Sequence, residues 1–447
     1  MAKRSAGRRR GLPEDVTTPI PTGRRRSTLA SRLPPLAETW QFPLFVALVH
    51  WLIVQIPATL AYRYGNLNAA SPPYGREPVP LDGWVGDIVN PMRMWDGLWY
   101  RLVAIEGYEG STAKAAFWPL YPWTIRAVHN MFGIEWETAG YLIANICFLV
   151  ALILLYRLVL LDFNPKIART ALWAIAIFPT AFFFSAVYTE SPFLMLMVGA
   201  LLAARVQRWW LAGAIGALAA LTRSYGMFLV LPFAVLMWQQ YGENIKRAPL
   251  RALAIGLPLL GPAFFSWHLD RVQGNWQQWQ DVQQEWNRYD ARPWDTLRWA
   301  FQERSPQNAE LGLRDGDGAD WDWLGQLFDN FSWDLITSNA WRLELANSDT
   351  LELVCTLLFI ALALIGFRLL PFYQTVYLLP GLLVPLFQPS SVHTLMSMPR
   401  FGLTLFPLFI VMAILLSERR ITPFLAVLSA AMLVLLTVQF SQWYWVS

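Results

Sequence analysis

The sequence predicts an all-α polytopic membrane protein with about eleven membrane-spanning helices. Three observations predict it. The first is the distribution of apolar residues. Of the 447 residues, 55% are hydrophobic, and mean hydropathy is +0.34. They fall in blocks of about 16 to 22 residues, the length that crosses a hydrocarbon core of about 30 Å. Each block has to be helical, because lipid offers no partner to an unpaired backbone amide. The second observation is the 24 tryptophans, whose indole rings favour membrane–water interfaces. The third is the placement of basic residues. With spans at 41–60, 138–160, 168–187, 191–205, 209–223, 225–241, 251–269, 350–367, 371–388, 401–417 and 421–440, every second short loop is basic.

Those basic loops carry Arg157, Lys166 and Arg169; Arg205 and Arg208; Lys246, Arg247 and Arg251; Arg368; and Arg419 and Arg420. They define the cytoplasmic side and put the N-terminus there too. Residues 1–40 read as a disordered basic tail, with the runs Arg8–Arg10 and Arg24–Arg26, suited to anionic lipid headgroups. The net charge of +4 is not spread along a face and argues for no nucleic-acid partner. The tail is too long for the n-region of a cleaved signal, so 41–60 is expected to be an uncleaved anchor. Cys147 and Cys355 sit in apolar blocks, with neither disulfide nor zinc spacing. A membrane domain is expected over 41–440, with two long external loops, 61–137 and 270–349. The second loop is Trp-rich and holds a Gly/Asp-rich turn at 312–320, which lacks the full spacing of a calcium loop.

The polar residues that invite a chemical reading fall on the external side: Asp87, Asp96, Glu190, Arg223, His393 and Arg400. Trp95, Leu98, Trp99, Leu102, Val103 and Ile105 recur at helical spacing, which predicts an amphipathic helix in the interface plane. Asp96 lies in its first turn, either as a carboxylate that favours the helix dipole or as a general base. In AAFWPLYPW (115–123), two prolines are expected to break helix and make a rigid aromatic turn. Glu190 stands between two spans, as an N-cap or as a functional carboxylate. Arg223 and Arg400 either snorkel to headgroups or bind a phosphate, and Arg223 has Glu190 as a further candidate partner. His393, in an external turn, reads as incidental or as a site residue. From residues alone, the site pairs carboxylates with arginines at the interface and suits a lipid-phosphate substrate.

Five ordered segments carry a resemblance: WDGLWYRLVAIEGY (95–108), AFWPLYP (116–122), FPTAFFFSAVYTESPF (178–193), LTRSYGMFLVLP (221–232) and SMPRFGLTLFP (397–407). Together they resemble the GPI mannosyltransferase II (PIG-V) family of the GT-C superfamily, over about residues 95–407. The tail and the Gly/Asp-rich stretch lie outside it, and Trp118 stands where the family pattern has Phe.

The resemblance implies a GT-C-like bundle and transfer of mannose from a polyprenyl- or dolichyl-phosphate-mannose donor. The acceptor is a lipid or glycan hydroxyl, and the sugar carbon is inverted. It implies Asp96 as the base, with Arg223 or Arg400 on the departing phosphate and Glu190 orienting Arg223 or binding sugar. Trp95, Tyr100, Tyr121 and His393 complete the expected substrate-binding set. No cofactor or metal is expected. A multi-pass protein of the plasma membrane is expected for a bacterial source, towards which the preference for Arg over Lys leans, and of the endoplasmic reticulum otherwise. The alternative is a non-catalytic, partner-dependent or sugar-lipid-transporting membrane protein. A transporter would show internal repeats and charges deep within spans.

Overall fold

The computed structural model describes residues 34–65, 80–242, 249–302 and 348–446. The basic runs of the tail, Lys246 and Arg247, and the Gly/Asp-rich stretch at 312–320 lie outside the described residues. The described chain is helical apart from turns and an isolated antiparallel bridge between Arg288 and Ser390.

Helix α1 (Gln41–Tyr64) opens the bundle, and α2 (Asp96–Glu106) and α3 (Leu120–Phe132) lie in the first long loop. Then come α4 (Trp136–Asp162), α5 (Pro165–Ala176), α6 (Glu190–Arg205), α7 (Trp209–Thr222), α8 (Val230–Tyr241) and α9 (Leu260–Gln273). Helix α10 (Gln278–Glu285) belongs to the second loop. It precedes α11 (Ser348–Leu369), α12 (Phe372–Phe387), the short α13 (Met398–Leu403), α14 (Phe406–Leu416) and α15 (Thr422–Ser441). Among the described residues, five helices are long and apolar enough to cross a membrane: Leu36–Tyr64, Trp136–Asp162, Leu250–Gln273, Asp349–Leu369 and Thr422–Ser441. Helices α7, α12 and α14 are apolar but shorter.

Helix α4 packs along α6, α6 along α7, α1 against α15 and α5 against α14. The centre is aromatic: Phe182, Phe183, Phe184, Phe193, Trp209 and Phe233 are fully buried. On α1, Leu44, Leu48, Leu52, Ile56 and Leu60 recur every four residues and point outward. A soluble helix would turn that stripe inward, whereas here hydrocarbon is the solvent that receives it.

Several predicted spans are interrupted, and proline accounts for the breaks. The expected span 168–187 is helical only to Ala176. Pro179 cannot continue the helix, and the chain runs through buried turns, with a 3-10 turn at Ala181–Phe184, to Thr189. The segments 225–241 and 251–269 pass through 3-10 turns at Ser224–Leu229 and Ala254–Leu259. The segment 401–417 is broken between Leu403 and Phe406, just ahead of Pro407. Non-helical backbone is tolerated at such depth where protein, not lipid, surrounds it. The aromatic turn expected at 115–123 ends at Pro119. Pro122 sits inside the first turn of α3, where the missing N–H costs no intrahelical bond.

Candidate active site

Asp96 is positioned by the segment before it. Met92 and Met94 offer their carbonyls to Val187 N (2.8 Å) and to the Tyr188 hydroxyl (3.1 Å), and that hydroxyl accepts from Asp96 N at 3.1 Å. Glu137, buried at the start of α4, receives Arg93 at 3.1 Å and Arg101 at 2.7 Å, one from each side of Asp96 in sequence. Trp95 has φ 55° and ψ −115°, a conformation that costs a residue with a side chain about 1–3 kcal/mol. Its indole donates to the Tyr444 carbonyl at 3.2 Å and packs on Trp443 and Trp445, with ring centroids 5.8 and 5.0 Å away. The strain is thus held by tertiary contacts, and Asp96 follows it as the first residue of α2.

Glu190 opens α6, but its side chain makes no cap. One of its oxygens accepts from Arg223 at 2.8 Å and lies 3.3 Å from Arg400 Nε. Arg400 reaches Asp96 Oδ2 at 2.5 Å. A chain of alternating charge, Arg223–Glu190–Arg400–Asp96, therefore joins four of the five sequence motifs. Arg223 is the residue at which α7 ends, and Gly226 lets the chain fold straight back. A Cβ at Gly226 would stand 2.3 Å from the backbone nitrogen of Ala220. Arg400 sits on α13, which Ser397 begins in a left-handed conformation (φ 70°), its N–H bound to Glu352 at 3.1 Å. Arg223, Arg288 and Arg400 all place their guanidinium carbon over the Phe401 ring, at 5.1, 5.8 and 5.4 Å.

The electrostatics follow from these distances. Burial lowers the Arg400 pKa, but Asp96 and Glu190 outweigh it, so the guanidinium is held more firmly charged than a free one. Burial, then the charges of Glu190 and Asp96, pushes the Tyr100 hydroxyl up, and burial does the same for Tyr188. Both remain proton donors. Tyr100 shares a hydrogen bond with Thr189 at 3.0 Å.

These residues face a cavity of about 470 Å³. Trp95, Asp96, Tyr100, Arg223, His393 and Arg400 line it. Glu190 stands behind the wall, fully buried, and reaches the cavity through its two arginines. Tyr121 does not line it. It is 1% exposed and donates to the Gly140 carbonyl at 3.0 Å, so it fastens α3 to α4. Asp87 makes an exposed pair with Arg63 at 3.3 Å, apart from the cluster. His393 meets Asp349 at 2.9 Å. Burial lowers its pKa, but that contact and the charge of Glu352 prevail and raise it.

Arg288 also lines the cavity, with Trp286 and Trp445, and none of the three stands out in the sequence as a site residue. Arg288 lies in a loop with several other arginines, and nothing in its spacing sets it apart. Among the described residues, no group of three or more His, Cys, Asp or Glu side chains is placed to hold a metal ion. The arrangement offers a carboxylate able to take a proton and guanidiniums able to hold an anion, within one partly dry cleft.

Residues 114–267, about a third of the chain, match the family model described as dolichyl-phosphate-mannose-protein mannosyltransferase. The matched stretch contains Glu190 and Arg223, while Asp96 and Arg400 fall outside it. No curated protein matches the chain. By the family match, the chain is an enzyme, a mannosyltransferase of GT-C type.

Proposed function

We propose that this mannosyltransferase moves mannose from a polyprenyl- or dolichyl-phosphate-mannose donor to a hydroxyl of a lipid or glycan acceptor, inverting the sugar carbon. The observation that carries the reading is Asp96, a carboxylate at the wall of a cavity that Arg223, Arg288 and Arg400 also line. The family match supports the donor, and the ordered motifs at 95–407 support a PIG-V-like enzyme. The short helices are read as further crossings in a bundle of about eleven. The basic short loops support a site on the face opposite the N-terminus. The enzyme is read as a multi-pass protein of the plasma membrane in a bacterium and of the endoplasmic reticulum otherwise. It needs no cofactor in this scheme.

In the proposed step the acceptor oxygen forms a bond to the anomeric carbon as the bond from that carbon to the phosphate oxygen breaks. The bonding pair leaves with the lipid phosphate, and the acceptor proton passes to Asp96. This is the geometry of an inverting displacement, with an acceptor hydroxyl in place of water. Arg400 holds one carboxylate oxygen and thereby fixes the direction of the other. The acceptor proton becomes acidic only as the new bond forms, so an arginine-bound carboxylate is still able to take it. Guanidiniums stabilise the charge that gathers on the phosphate. Glu190 keeps Arg223 and Arg400 from repelling each other.

The test is transfer of labelled mannose from a polyprenyl-phosphate donor in membranes holding the wild type or Asp96→Asn. The variant is expected to lose about 10²–10⁴-fold in rate with unchanged folding. Equal rates would remove Asp96 as the base.

A further inference from the structure

Arg288 belongs to the second long loop, and its surroundings are unlike those of the other two cavity arginines. It docks on the turn after α12. Its guanidinium donates to the carbonyls of Gln388 at 2.9 Å and Met396 at 3.3 Å, and its backbone pairs with Ser390. Flanking it, Tyr289 N binds the Pro389 carbonyl at 3.1 Å, and Ser391 N binds the Asn287 carbonyl at 2.8 Å. The side chain is therefore held from both ends. Yet among the described residues it forms no ion pair, whereas Arg223 and Arg400 are both anchored by carboxylates. Burial lowers its pKa, and neighbouring charges do not restore it, the reverse of Arg400. A half-buried guanidinium bonded only to carbonyls is costly until an anion arrives.

Its position says where that anion comes from. Arg288 also lines a second cavity of about 600 Å³, which shares Ser224, Tyr225 and Phe401 with the first. The wall of that second cavity includes the apolar side chains of Met227, Phe228, Val384 and Phe387. Arg288 thus stands where a cavity with a partly apolar wall meets the chamber that holds Arg223 and ends on Asp96.

We infer that Arg288 is a donor-phosphate-binding residue, acting with Arg223 across the Phe401 ring, while Arg400 is committed to Asp96 and Glu190 and serves the base. The inference rests on the lipid-phosphate donor proposed above. The bound group is a phosphate monoanion whose hydrocarbon tail takes the second cavity past Phe228 and Phe387 and whose sugar points towards Asp96. Arginine suits this task because its planar fork meets two phosphate oxygens at once.

The test measures binding of a short-chain polyprenyl monophosphate, the matching alcohol and phosphatidylglycerol to the purified full chain in detergent. The wild type is expected to prefer the polyprenyl phosphate over both of the others. Arg288→Gln is expected to lose about 10- to 100-fold for the phosphate and nothing for the alcohol. On the wild type itself, the phosphate but not the alcohol should slow phenylglyoxal modification of Arg288, read by mass spectrometry. That arm decides the matter if the variant does not fold. The inference is overturned if Arg288→Gln keeps the phosphate preference or if Arg288 modification is unaffected. Equal binding of phosphatidylglycerol also overturns it, by making this a general headgroup site. If Arg288-dependent phosphate binding is found without mannose transfer, the proposed function falls and the inference stands. Transfer by Arg288→Gln with an unchanged KM for donor sinks the inference alone.

Discussion

Helix α4 carries a buried carboxylate near each end: Glu137 braces the segment around Asp96 through Arg93 and Arg101, and Asp162 centres a cluster that contrasts with the Asp96 cluster. At its far end, about 40 Å from Glu137 by helical rise, Asp162 is saturated. One oxygen is bound by Arg205 at the end of α6. The other accepts from Tyr373 at 2.7 Å and Gln374 at 3.3 Å in the first turn of α12. Arg205 also lies over the Tyr373 ring, and none of these residues lines a cavity described here. The Asp96 cluster has more charges and fewer bonds per charge. Arg223 and Arg400 share one oxygen of Glu190, whose other oxygen has no hydrogen-bond partner among the described residues, and a cavity opens beside them. A cluster whose carboxylate is fully bonded ties helices together, although Arg205 Nε and Gln374 Oε1 have no hydrogen-bond partner among the described residues. An unsaturated one beside a cavity has capacity left for a substrate.

Substitutions sharpen or break that distinction. Arg205→Ala is expected to cost about 3–5 kcal/mol of stability, because Asp162 would be left buried without its counter-charge. Turnover per folded molecule should stay within about twofold, well short of the loss expected for an active-site group. A large fall in turnover at unchanged stability would erase the contrast. Gly226→Ala comes next. Its added methyl collides with the Ala220 backbone, and is expected to cost about 1–3 kcal/mol. It should also weaken donor binding by about tenfold or more, because Arg223 moves with the turn. Thermal melting and the KM for donor check the two effects separately.

The smallest effect concerns His393. Its pKa is raised in the folded chain through Asp349 and Glu352. The stability it adds is therefore fully present below its ordinary value of 6.5 and is lost as pH rises through the raised value. His393→Gln should remove about 0.5–1 kcal/mol at pH 5.5 and almost nothing at pH 9. Melting temperatures of both proteins across that range decide it. A larger loss at pH 9 would show that the contact does not depend on charge.

The membrane helices were legible because hydrocarbon enforces their length and composition, as the outward leucines of α1 illustrate. Their interruptions were less so. Pro179 and Pro407 break helices that apolar runs alone would continue. Asp96, Glu190, Arg223 and Arg400 could be singled out because a charge at the edge of an apolar block is expensive and so invites a reason. What their spacing could not convey is that they form one chain of contacts across more than 300 residues of sequence. Tyr121 was misplaced for a plain reason. A tyrosine in an aromatic motif looks the same whether its hydroxyl faces a cavity or a carbonyl. Arg288 and Arg205 were hidden for the opposite reason. Arg288 is one arginine among several in its loop and Arg205 one of two basic residues at a short turn, and only the docking of α12 and its following turn distinguishes them.

The Phe401 ring, with three guanidiniums over it, has a consequence for how this site can vary. One ring serves three cations, so a change at the ring is felt by all three arginines. Removing the ring would take away a shared screen and leave three like charges to face one another. Effects of paired substitutions among Arg223, Arg288, Arg400 and Phe401 should therefore depart from the sum of the single ones. Any lineage that replaces the phenylalanine would be expected to change its arginines in the same stroke.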